Sequence, residues 1–169
     1  MKYILLMITL FLASCSVNAV DSEDPETTAN YIQKELYPDD EVIYHKVDLS
    51  DGIENVYDIG EDVRVTMTDD EKIEQISFFS LKKDEIPEIL ELVDFPYVDS
   101  IDYFIEENED FEGSWSDSIF NDFFTKYDGV GLQITAKIED LRGDPEEPFS
   151  MILIYDSDRL EYFEERNAE

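Results

Sequence analysis

The chain has 169 residues, of which 44 are Asp or Glu and only 12 are Lys or Arg, for a formal net charge of −32. That balance excludes direct binding to nucleic acid, which needs clustered cations against phosphates, while a single Cys excludes a disulfide framework and a single His any site built on two imidazoles. With 43% hydrophobic and 13% aromatic residues the chain is too apolar for a disordered acidic tail and reads as a folded, acidic domain.

Residues 1–20 read MKYILLMITLFLASCSVNAV, with Lys2 the only charge and an apolar run from Tyr3 to Ala13 broken only by Thr9. That length suits the core of a secretory leader. It is short for a membrane span, which takes about 20 apolar residues. From Asp21 onward the sequence is acidic, with no basic flank to stop transfer. Two cleavage sites compete. Val17-Asn18-Ala19 has the small-x-small form of an ordinary leader, in which case Cys15 is discarded with it. Leu12-Ala13-Ser14-Cys15 resembles the lipobox of bacterial lipoproteins, follows the apolar run directly and accounts for the only Cys.

The lipobox is the favoured reading. The resemblance implies loss of residues 1–14, diacylglycerol on the Cys15 sulfur, and a lipid bilayer as the first partner. Two or three acyl chains hold a protein on a membrane for long periods. The expected location is the cell envelope, on its periplasmic or extracellular face. Residues 15–24 are then a lipidated tether and residues 25–169 the acidic domain. An acidic body is repelled by anionic lipid and stands off the surface.

Asp24-Pro25-Glu26 opens a predicted helix to about Tyr37: Asp24 is the N-cap, Pro25 fits the first turn and Glu26 suits the helix dipole. Ala29, Ile32 and Leu36 mark its buried stripe. Residues 41–49 and 53–58 read as strands about a Ser50-Asp51-Gly52 turn. In residues 62–68, Val63, Val65 and Met67 alternate with Arg64, Thr66 and Thr68; after an acidic turn, residues 73–81 complete a hairpin. Residues 84–93 read as a helix, with Pro87 tolerable in its first turn and Phe95-Pro96 ending it. Residues 98–106 fit both periods. Residues 119–139 form a second predicted hairpin about Asp128-Gly129, although its first arm, IFNDFFTKY, fits a helix equally. Residues 141–148 are a polar loop, and residues 149–155 (FSMILIY) a central strand. Ser157 or Asp158 caps a last helix through about Arg166.

Strands arrive in hairpins rather than alternating singly with helices. The expected fold is therefore α+β, a single domain with an antiparallel sheet built from hairpins and covered on one face by helices. Helix-then-hairpin order in both halves suggests a duplicated module, though no residue-level repeat accompanies it. The acidic-turn hairpin and the helix before Phe95-Pro96 resemble, in outline and over residues 62–155, small extracytoplasmic α+β modules of the PepSY or outer-membrane-assembly-lipoprotein type. That resemblance implies an accessory or inhibitory binding module rather than an enzyme.

Little in the residues points to catalysis. His45, between Tyr44 and Lys46, reads as an ordinary strand histidine, and no G-x-S-x-G elbow exists. Among 44 acidic residues close carboxylate pairs arise by chance, so a carboxylate-dependent hydrolase ranks third among the readings. The second is a calcium-responsive envelope protein. In residues 106–117, Asn108, Asp110, Glu112 and Gly113 imitate the first ligand positions of an EF-hand loop, but Ile119 stands where the bidentate Glu belongs; at most weak Ca²⁺ binding is expected, and no other cofactor.

The charge pattern is more distinctive. From Asp84 to Thr125, 42 residues hold 14 acids and not one Lys or Arg. Aromatics are interleaved with them. Aromatic anchors in a negative field suit a cationic protein or peptide. The candidate partner-binding residues are Tyr103, Glu107, Asp110, Phe111, Glu112 and Trp115. The competing reading places the aromatics in the core and the acids in solvent, and moderate salinity is a further explanation of the charge.

Overall fold

The computed structural model describes residues 20–49, 52–108, 120–137 and 149–167. Helix α1 (Pro25–Leu36) begins as its sequence dictates. Asp24 Oδ1 accepts the Thr27 N–H at 3.0 Å and its Oδ2 accepts the Thr27 hydroxyl at 2.7 Å, a cap worth about 1 kcal/mol. The domain starts earlier than the sequence reading placed it. Residues 20–24, assigned to the tether, are bonded into the fold. Val20 packs on the core, Asp21 exchanges two 3.1 Å hydrogen bonds with Thr28, and the Ile73 N–H donates to the Ser22 carbonyl at 2.8 Å. A tether, if present, ends before Val20.

Strands β1 (Val42–Leu49), β2 (Gly52–Ile59), β3 (Val63–Met67) and β4 (Ile73–Leu81) form an antiparallel meander. Helices α2 (Glu85–Leu92) and α3 (Asp99–Asn108) follow. Strands β5 (Phe120–Tyr127), β6 (Val130–Lys137) and β7 (Phe149–Ile154) make a second antiparallel meander, and α4 (Ser157–Asn167) closes the described chain. β4 pairs with β7, so the two meanders join in one seven-stranded sheet of order β1-β2-β3-β4-β7-β6-β5. The α+β expectation holds, and β7 lies in the sheet interior as its apolar run requires. The helix-then-meander order recurs in both halves at the level of topology.

One core unites the halves. Ala29 and Ile32 of α1, Ile86, Ile89 and Leu90 of α2, and Ile101, Phe104 and Ile105 of α3 pack over Val63, Val65, Ile76, Phe78, Leu132, Ile134, Met151 and Leu153. Helices on one face describes α1 to α3. α4 lies on the other face, where Leu160 and Phe163 cover Ile154, Ile152 and Phe124. Its cap is Asp156 rather than Ser157 or Asp158: Asp156 Oδ1 accepts the Arg159 N–H at 2.9 Å. Gln75, Ser77, Gln133 and Thr135 share that second face by the two-residue alternation of their strands.

Candidate functional site

The corner between α2 and α3 is built on a helix C-cap with an unusual occupant. The Phe95 N–H donates to the Leu90 carbonyl at 2.8 Å and the Asp94 N–H to the Glu91 carbonyl at 3.2 Å. This is the Schellman arrangement, whose left-handed position is usually Gly. Here Asp94 occupies it at φ 56°. Phe95 then turns inward, 6% exposed, against the core.

Across from this corner is the β5–β6 hairpin. Asp128 (φ 47°) and Gly129 (φ 81°) form the two-residue turn that the Asp-Gly pair predicts, with Tyr127 opposite Val130. The Phe95 and Tyr127 rings meet edge-on, centroids 6.0 Å apart. Between corner and hairpin lies a cleft of about 410 Å³ with Phe95, Tyr127 and Tyr155 among its walls and Glu91, Asp94 and Asp128 supplying its carboxylates. Val20 lines it too, so the described chain begins at this cleft. Burial pushes the Tyr155 phenol well above its ordinary range, and its hydroxyl has no hydrogen-bond partner among the described residues.

Next to the cleft, α3 sorts its residues by helical period. Ile101, Phe104, Ile105 and Asn108 are buried. Asp99, Asp102, Tyr103, Glu106 and Glu107 are exposed, Tyr103 by 65%. Tyr97 and Val98, just before the helix, are each 40% exposed, and the Tyr97 hydroxyl donates to Asp102 Oδ1 at 2.9 Å. Burial first, then this bond, raise the Tyr97 phenol to about 12. The two readings of the aromatic residues are thus both realised. Phe95, Phe104 and Phe123 serve the core, while Tyr97 and Tyr103 stand in solvent among carboxylates.

Of the partner-binding residues expected from sequence, Tyr103 and Glu107 are brought together on the outer side of α3. Asp110, Phe111, Glu112 and Trp115 lie outside the described residues, as do Cys15, the turn at Ser50-Asp51 and the polar loop 141–148. Of the calcium candidates, Asp110 and Glu112 are likewise outside. Asn108 is buried, and its amide donates to the Phe104 carbonyl at 2.7 Å inside the helix's own last turn, a position unlike that of a ligand presented to a loop. Among the described residues no group of three or more His, Cys, Asp and Glu is placed to hold a metal ion. The cleft residues Asp94, Tyr127, Asp128 and Tyr155 were not singled out from sequence as a site. The available signal was two non-glycine residues in positions that turn chemistry reserves for glycine or asparagine, but only Asp128-Gly129 announced itself.

A second recess of about 290 Å³ is lined by Glu23, Asp24, Glu26, Glu71, Tyr44 and Tyr57, among others. The Tyr57 phenol is raised by burial first and then by the charges of Glu26, Asp24 and Glu71 and by Tyr44. An internal cation already serves this recess, because Lys72 Nζ lies 2.8 Å from Glu23 Oε1. His45 sits in an ion cluster on the second face of the sheet. Its Nε2 is 3.1 Å from Asp58 Oδ2, and Arg64 grips the same carboxylate with two bonds of 2.7 and 3.0 Å. The arrangement joins β1, β2 and β3 and holds the Arg64 guanidinium protonated even more firmly than usual, chiefly through its bond to Asp58.

No protein-family model, curated protein or solved structure matches the chain. No helix among the described residues is long and apolar enough to cross a membrane.

Proposed function

We propose that this protein is a non-enzymatic accessory module of the cell envelope, lipid-anchored through Cys15, that binds a cationic protein or peptide on the outer side of α3. The observation that supports the binding role is the exposed stripe Asp99, Asp102, Tyr103 and Glu106, at helical spacing, flanked by Tyr97 and Glu107. Amphipathic helices ordinarily expose charge. Two exposed tyrosines between like charges, with no Lys or Arg in the surrounding 42 residues, are what a basic partner recognises. Exposed carboxylates steer the approach and the rings supply contact area at low entropic cost. The anchor rests on the sequence Leu12-Ala13-Ser14-Cys15. With Val20 docked on the domain, four residues separate Cys15 from the folded body, a reach of about 17 Å over the five Cα–Cα steps. The α2–α3 side would then face a narrow space above the bilayer.

The test replaces Asp99 and Asp102 by Asn and Glu106 and Glu107 by Gln, and measures affinity for a Lys- and Arg-rich peptide. All four side chains are exposed, so the fold persists. Affinity falls about tenfold or more if the face binds cations. Unchanged affinity at unchanged melting temperature contradicts the reading.

A further inference from the structure

Strand β1 stands at one end of the sheet order and pairs with β2 alone among the described strands. Its eight residues keep one register with β2 from Val42 to Leu49, with neither a bulge nor a proline. The Gly60 N–H donates to the Glu41 carbonyl at 3.4 Å, one step before the Val42–Ile59 pair. Hydrogen-bonded and non-bonded pairs alternate along an antiparallel ladder. Ile43, His45 and Val47 therefore turn their backbone groups toward β2. Val42, Tyr44, Lys46 and Asp48 turn theirs away from the sheet, where no described residue meets them. Such an edge is ordinarily guarded by a bulge, a proline or a charge. Here the guard is Lys46.

Lys46 differs from the cations around it. Lys34, Arg64, Lys72, Lys126 and Arg159 each hold a carboxylate. Lys46 is exposed and has no ion pair among the described residues, in a chain with 44 acids to choose from. On the same side of the strand, two residues on, stands the exposed Asp48. The strand thus carries one charge of each sign, both beside outward-turned backbone groups. Laid antiparallel to itself, it is complementary to itself.

We infer that the β1 edge pairs antiparallel with β1 of a second copy of this chain, about a two-fold axis through Val47. Lys46 then stands opposite Asp48 of the second copy, and Asp48 opposite its Lys46. Both residues turn their backbone groups outward, so each such pair exchanges two backbone hydrogen bonds besides its charges. Val47 meets its own copy on the axis, and the exposed Ile43, Tyr44 and Ile53 lie on the two strands that form the joint. Register is specified as well. A slip of one residue sets an outward-turned residue against an inward-turned one. A slip of two sets Lys46 against Lys46 or Asp48 against Asp48, and like charges directly opposite destabilise a strand pair. Two bodies of charge −32 repel each other, but that repulsion is screened over about 8 Å at 0.15 M salt, while the contacts at the edge are made at closer range.

The inference goes beyond the α3 reading and does not rest on it. The test uses the full chain in detergent at about 0.15 M salt, where the repulsion between bodies is screened. Sedimentation from about 1 μM to about 1 mM is expected to show a monomer–dimer equilibrium. Zero-length carbodiimide coupling of mixed heavy-nitrogen and unlabelled chains is expected to join Lys46 of one isotope to Asp48 of the other. Lys46→Asp and Asp48→Lys each set like charges across the joint and are expected to weaken the dimer about tenfold or more. An equimolar mixture of the two variants is expected to restore it, because each then supplies the charge that the other lacks. Both side chains are exposed, so an unchanged melting temperature shows that the variants are folded. A chain that stays monomeric throughout overturns the inference. So does the absence of the heavy–light Lys46–Asp48 link, or single variants that dimerise as tightly as the parent.

Discussion

Leu160 of α4 lies directly over Gly131 of β6: a Cβ added to Gly131 would come within 2.5 Å of Leu160 Cδ1 and 3.4 Å of both the Ile154 Cβ and the Phe124 ring. The close approach is how α4 docks on the second face of the sheet. Gly131→Val is expected to lower stability by about 1–3 kcal/mol through overpacking, and Gly131→Ala by less, because one methyl meets only the flexible end of Leu160. Urea denaturation of both variants measures this. A valine variant as stable as the parent contradicts the docking geometry.

Thr66 of β3 is 1% exposed, and its hydroxyl is buried without a hydrogen-bond partner among the described residues. An unmade hydrogen bond in a buried site costs free energy, and valine has the same shape and suits a strand. Thr66→Val should raise stability by about 1 kcal/mol. Destabilisation would mean that the hydroxyl has a partner.

Tyr97 offers a pH prediction. Its phenol is raised from 10.0 to about 12, first by burial and then by its bond to Asp102. The folded state therefore binds the proton more tightly than the unfolded chain. The resulting contribution is complete below pH 10 and is lost as pH rises from 10 towards 12. Spectrophotometric titration should show a late phenolate phase that Tyr97→Phe removes in part. An unchanged curve would mean that Tyr97 is not held by Asp102.

The anchor is tested on the mature protein. Mass spectrometry of the membrane-extracted chain should find an N-terminus at Cys15 carrying diacylglycerol. A chain beginning at Val20 would instead indicate the Val17-Asn18-Ala19 site, and one beginning at Met1 would remove the envelope placement.

Most of the fold was legible because local chemistry and global packing agree. Asp24-Pro25-Glu26 starts α1, Asp128-Gly129 turns a hairpin, and Val63, Val65 and Met67 alternate toward one core. The illegible parts have physical causes. In β5, Phe123 packs toward α3 while Phe124 packs toward α4, so burial on both faces erased the two-residue alternation and imitated a helix. Residues 98–106 fitted both periods because Tyr103 supplies an apolar position for a strand; its 65% exposure in α3 decides for the helix. The cap of α4 was displaced by one residue, since Asp156, Ser157 and Asp158 are all competent caps. The cleft was hidden because its residues come from four separated segments, Val20, the α2–α3 corner, the β5–β6 hairpin and Tyr155 just after β7, and only the folded sheet brings them together.

The most direct test of the account is the salt dependence of peptide binding. The full chain is titrated with a Lys- and Arg-rich peptide at rising ionic strength, over which the screening length shortens from about 30 Å at 0.01 M to about 8 Å at 0.15 M. The account predicts saturable binding that weakens about tenfold or more across that range. Affinity independent of salt, or no binding at the lowest ionic strength, would contradict it.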